Sequence, residues 1–128
     1  MPIRQMYWIL DKNKKPIPAK DVLEWGKFFE SPDRIVAVDI VGEARVSTVF
    51  LGLDHNWTNE GPPILFESMI FSDTLEEIQW RYATWKEAAA GHEQLIELLL
   101  AAVASSKELT SALLDEIKHT QRNQLRKD

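Results

Sequence analysis

The sequence predicts an α+β fold: an antiparallel sheet of four to five strands with a long helix packed on one face, an N-terminal helix and a C-terminal helix. Three observations carry that prediction. β-rich runs between residues 34 and 84 follow one another through polar or glycine-containing turns with no helical period between them, the pattern of an antiparallel meander. After residue 84 the apolar period changes from two to that of a helix and holds to about residue 104. A shorter amphipathic stretch, residues 19–30, lies ahead of the strands.

Taken in order, residues 3–10 (IRQMYWIL) combine aromatic and branched side chains and read as a strand, and residues 11–15 make a polar turn. Pro16 and Pro18 delay the next element, and Pro18 suits a helix's first turn, where its missing N–H is not needed. In the 19–30 helix, Val22, Trp25, Gly26 and Phe29 share a stripe, and Ser31-Pro32 stops it. Residues 34–41 and 44–54 are strands joined by a tight Gly42-Glu43 turn; 55–63, with Asn, Gly and a proline pair, is a loop; 64–71 is the third strand. After a turn at 72–76, residues 77–84 alternate Ile78, Trp80 and Tyr82 against Glu77, Gln79 and Arg81, giving the fourth.

Thr84 and Glu87 then form a capping box, and the helix it opens carries Trp85, Ala88, His92, Leu95, Ile96, Leu99 and Val103 on one face. Gly91 beside that face weakens the helix, so close approach to a strand is its expected role. Ser105 to Glu108 offers a second capping box, and a further helix follows on Leu109, Leu113 and Ile117. Residues 1–104 thus read as a single α+β domain and 105–128 as its C-terminal helical extension.

If strands two and three pair across the 55–63 loop, Leu51 lies near Glu67 and Val49 near Met69; strands three and four put Phe66 near Tyr82 and Glu67 near Arg81. One face then holds Val46, Thr48, Phe50, Ile64, Phe66, Ile70, Ile78, Trp80 and Tyr82 and should carry the long helix. The other is half apolar and half charged, with Arg45, Ser47, Val49, Leu51, Leu53, Leu65, Glu67, Met69, Gln79 and Arg81. Such a face calls for a partial cover: the first helix, a second copy of the chain, or a ligand.

Composition narrows the function. With 128 residues, one domain can bury a real core. A net charge of −5 disfavours strong nucleic-acid binding, and the lack of cysteine excludes disulfides, thiolate metal sites and thiol nucleophiles. No run is apolar enough to span a bilayer, residues 1–10 lack the shape of a signal peptide, and a cytoplasmic location is expected. No P-loop, dinucleotide fingerprint or nucleophile elbow is present, and no cofactor is expected.

Three segments, VSTVFLGLDHNW (46–57), PPILFESMIF (62–71) and RYATWKEAAAGHE (81–93), together resemble a family of small tailed-bacteriophage and prophage proteins marked by FLGLDH, PPLLFET-like and RYxTWxEAxxGH segments. The similarity covers roughly residues 7 to 96; Ser68 stands where Thr is expected, and Ser72-Asp73 where a Gly pair is common. The resemblance implies a phage or prophage origin and a bacterial host cytoplasm, and carries no activity.

The candidate binding residues are Asp54, His55, Trp57, Glu67 and Arg81. Asp54 reads as a cap for the loop backbone, His55 as bonded within the loop, and Glu67 as the cross-strand partner of Arg81. Trp57 is the tryptophan least explained by burial, hence a contact residue. His92, on an apolar helix face, reads as a satisfied core histidine. The first expectation is a non-catalytic phage accessory protein that binds a host protein, such as a defence component, or a small nucleotide. A metal-dependent hydrolase using Asp54, His55, Glu67 and His92 is the rival, since carboxylate and imidazole suit zinc, manganese or iron. A homo-oligomeric virion component is the third.

Overall fold

Two short strands at the start of the chain pair with each other rather than joining the main sheet. In the computed structural model, which describes residues 4–58, 60–73 and 78–104, β1 (Trp8–Leu10) runs antiparallel to β2 (Pro16–Pro18), with Ile9 opposite Ile17. The first strand is therefore shorter than expected, and Pro16 and Pro18 are strand residues rather than a spacer. Proline's fixed φ is compatible with extended backbone, and on an edge strand its missing donor costs little.

With Pro18 in the strand, α1 (Val22–Phe29) starts later than expected, and Asp21 caps it by accepting from the Glu24 N–H at 2.8 Å. None of its residues is buried. Trp25 leans on Tyr7 and Phe29, with ring centroids 5.5 and 5.1 Å away, but Phe28, off the expected stripe, reaches the core, edge-on to Phe50. A 3₁₀ turn, Pro32–Arg34, capped by Ser31, leads into the sheet.

The main sheet is the expected meander: β3 (Ile35–Val41), β4 (Ala44–Phe50), β5 (Phe66–Phe71) and β6 (Ile78–Tyr82) pair antiparallel in that order. Gly42 turns the first hairpin at φ +59°, a conformation glycine adopts without steric cost. Between β5 and β6 the register is the expected one, Phe66 opposite Tyr82 and Glu67 opposite Arg81. Between β4 and β5 it differs by two residues: Val49, not Leu51, faces Glu67, and Ser47 faces Met69. The reason is Gly52, whose φ of +72° turns the chain out of β4 beyond Phe50. A shift of two leaves the paired residues of β4 and β5 on their expected faces. Ile64 and Leu65, expected on the helix side and the opposite side, instead precede β5: Ile64 lines a cleft with Gln79 and Arg81, and Leu65 is buried in the core.

That face alternation builds the core. Ala44, Val46 and Phe50 of β4, Phe66 and Ile70 of β5, and Ile78, Trp80 and Tyr82 of β6 are buried. α2 (Trp85–Ala104) packs on them with Ala88, Leu95 and Leu99, each contributing apolar area at about 25 cal/mol per Å² removed from water. Its capping box forms as expected: the Glu87 N–H donates to Thr84 Oγ1 at 3.1 Å and the Thr84 N–H to Glu87 Oε1 at 3.0 Å. At the far end the buried residue is Ala102, while Val103, expected on the stripe, is exposed beside the Gly42 turn. Gly91 has its expected role: a Cβ there would collide with the Tyr82 ring and hydroxyl.

α1 lies against β1 and does not cover the second face of the sheet. On that face Ile35, Val38, Ile40 and Phe71 remain exposed among the described residues. No described helix is long and apolar enough to cross a membrane. Most of the 72–76 turn and the helix expected over 105–128 lie outside the described residues.

Candidate functional site

The connection from β4 to β5, residues 51–65, leaves the sheet as an irregular loop, and Asp54 organises its backbone. The carboxylate is 2% exposed and accepts from Arg4 Nε at 2.5 Å, from the Asn56 N–H at 2.8 Å and from the Ile64 N–H at 3.1 Å. Burial alone would push the Asp54 pKa up. The Arg4 guanidinium and the two backbone donors outweigh it and hold the acid below its usual value. The structural part of the expectation for Asp54, a cap on the loop, is what the geometry has.

The remaining loop bonds tie its two arms together. The His55 N–H donates to the Ile64 carbonyl at 2.9 Å, and Asn56 Nδ2 reaches the carbonyls of Glu60 and Pro62 at 2.8 and 2.9 Å. Arg4 adds a second contact at the Gly61 carbonyl. His55 Nδ1 lies 2.8 Å from the Leu53 carbonyl; since that oxygen only accepts, Nδ1 carries the proton. The other side of the imidazole faces Trp57, with ring centroids 5.6 Å apart. Trp57 itself is 76% exposed. A large indole is thus held in water on a loop whose backbone is pinned.

Beneath this loop a cleft of about 450 Å³ opens between Asn56, Pro62 and Ile64 on one side and Gln79, Arg81 and Tyr82 of β6 on the other, with Glu60 and Glu87 at its margins. Arg81 Nε donates to Glu67 Oε2 at 3.0 Å, the cross-strand pair expected from the register, and Arg81 also reaches Gln79. Glu87 is engaged at the start of α2, accepting from the Ala83 and Thr84 N–H groups. The charged lining is Glu60, Arg81 and Glu87, and Glu67 stands behind Arg81, so the cleft is net acidic.

Of the expected binding residues, the fold brings Asp54, His55 and Trp57 into one loop and Arg81 to the cleft below it. Glu67 joins through Arg81. The four residues of the hydrolase reading do not converge: Asp54 is taken by Arg4, His55 by Leu53, Glu67 by Arg81, and His92, on the buried face of α2, is bonded to Thr48 and Asp39. Among the described residues, no group of three His, Asp or Glu side chains is placed to hold a metal ion.

Sequence reasoning missed a second polar constellation. His92 Nδ1 lies 2.7 Å from Thr48 Oγ1, Thr48 Oγ1 2.6 Å from Ser68 Oγ, and Tyr82 Oη donates to Ser68 Oγ at 2.9 Å. On the other ring nitrogen, Nε2 meets Asp39 Oδ2 at 2.7 Å. Asp39, His92 and Thr48 have the connectivity of a nucleophilic triad. However, His92, Thr48 and Ser68 are completely buried, so no substrate carbonyl reaches the hydroxyls. Burial also pushes the Tyr82 phenol well above its usual pKa, so it remains a hydrogen-bond donor. The signal lay in the alternation: Thr48 and Ser68 are polar residues at inward positions between Val46 and Phe50 and between Phe66 and Ile70. Comparisons of the chain with family models, curated proteins and solved structures found no match.

Proposed function

We propose that this chain is a non-catalytic binding protein that recognises a protein partner through the Trp57 loop and the cleft beneath it. The observation that carries the reading is the exposed Trp57 indole on a loop fastened by Asp54, Asn56 and Arg4. Exposing an indole is unfavourable for the free protein, and a rigid aromatic anchor loses little entropy when a partner covers it. The acidic balance of the cleft favours a protein over a small nucleotide, because phosphates would meet Glu60 and Glu87 while Arg81 is already paired with Glu67. The resemblance of three segments to phage and prophage proteins supports a host protein as the partner, and an accessory role in infection, counteracting a host defence component, as its setting.

Trp57→Ala tests this reading. At an exposed loop position it should leave folding stability within about 0.5 kcal/mol of wild type. As an interface anchor it should cost about 2 kcal/mol of binding, roughly a 30-fold loss of affinity. Quantitative affinity capture from bacterial extract, with both proteins as bait, reads the difference. The expected result is a protein retained at constant stoichiometry by wild type and depleted with Trp57→Ala. Equal retention by both baits would remove Trp57 from the account.

A further inference from the structure

The polar line beneath α2 takes one residue from every strand of the main sheet: Asp39 from β3, Thr48 from β4, Ser68 from β5 and Tyr82 from β6, with His92 of α2 joining Asp39 to Thr48. Its direction follows from its ends. The Asp39 carboxylate only accepts, so His92 Nε2 carries a proton. With a neutral ring, Nδ1 is then an acceptor and takes the Thr48 proton; Thr48 Oγ1 accepts from Ser68, and Ser68 Oγ accepts from Tyr82. The Thr48 and Ser68 hydroxyls each donate once and accept once, and the Tyr82 hydroxyl donates at the end of the line. Run the other way, from a protonated Nδ1, the line would leave the buried Tyr82 hydroxyl proton with no acceptor among the described residues.

The two ends differ in what they face. Asp39 is 53% exposed on the edge strand β3, whereas Tyr82 forms part of the wall of the cleft at β6. Gly91 is what allows the Tyr82 ring to lie under the helix at that point.

We propose that Asp39 is a positioning residue for the cleft: its charge at one edge of the sheet sets the His92 tautomer and polarises the line, so that a change at Asp39 alters the hydrogen bonding of Tyr82 at the other edge. Chains of hydrogen bonds strengthen one another in a medium of low dielectric constant, and an ionised acceptor at one end orients the donors behind it. The inference does not depend on what the Trp57 loop binds.

Nuclear magnetic resonance at constant neutral pH tests it on wild type, Asp39→Asn, Ser68→Ala and the double variant. Imidazole ¹⁵N shifts in wild type should identify Nε2 as the protonated nitrogen and Nδ1 as the acceptor. Asp39→Asn is isosteric and half exposed, so the fold is retained while the charge is lost. It should shift the His92 nitrogens and also the Tyr82 ¹³Cζ resonance, which reports the hydroxyl's hydrogen bond. In the Ser68→Ala background the same change should still move His92 and no longer move Tyr82. A Tyr82 resonance unmoved by Asp39→Asn would overturn the proposal. So would one that moves equally with Ser68 removed, since that is a field effect through space.

Discussion

Gly91→Ala is expected to destabilise the fold by about 3 kcal/mol, although helix propensity alone predicts a gain of about 1 kcal/mol. The two effects have opposite signs, and geometry decides between them. Gly91 is buried in α2, and an alanine methyl would occupy the space of the Tyr82 ring and hydroxyl. Tyr82 has little room to yield, since it is buried against the sheet and its hydroxyl is held by Ser68. Chemical denaturation measures the loss. The same substitution made in Tyr82→Ala should become neutral or stabilising, because the colliding ring is gone. If Gly91→Ala stabilises the otherwise unaltered protein, the close packing of α2 on β6 described above is wrong.

The second large effect is expected at Asp54. Asp54→Ala leaves the Arg4 guanidinium and the Asn56 and Ile64 N–H groups without their shared acceptor, and should cost about 3 kcal/mol. The pH dependence has a definite sign. The folded-state pKa lies below the reference value of 3.8, so the unfolded chain binds the proton more tightly. The stabilisation is fully present above pH 3.8 and is lost as the pH falls through the lower, folded-state value. Urea melts from pH 6 downwards should therefore show wild type losing part of its advantage over Asp54→Ala in the acid range. A constant difference across that range would show that Asp54 contributes no charge-dependent stability.

What could be read from the chain depended on how locally each contact is specified. β6 alternates cleanly and is separated from β5 by only a short stretch of sequence, so the Glu67–Arg81 register could be read from the spacing, and the Thr84–Glu87 capping box is a local signature at the end of the same strand. Across the long β4–β5 connection no turn dictates the register, and Gly52 redirects the chain where a continuing strand was expected. Pro16 and Pro18 are ambiguous locally, since a helix start and an edge strand both tolerate proline; pairing with β1 decides. At the site, the Asp54-His55-Asn56 run announces a capped loop. Arg4, fifty positions away, has no local signature as the partner of Asp54. The Asp39 to Tyr82 line is similar: inward polar residues are visible one strand at a time, but only the assembled sheet shows that they touch.

Preorganisation of the Trp57 loop is the central physical claim, and amide hydrogen exchange measures it most directly. The Asn56 and Ile64 N–H groups donate to a buried carboxylate and the His55 N–H to the Ile64 carbonyl. All three should exchange far more slowly than the same sequence in an unstructured peptide, approaching the protection of neighbouring β5 amides, while the Trp57 side chain stays exposed to solvent. Exchange of Asn56 and Ile64 at the unstructured-peptide rate would contradict the account, because an indole on an unfastened loop is not a preformed anchor for a partner.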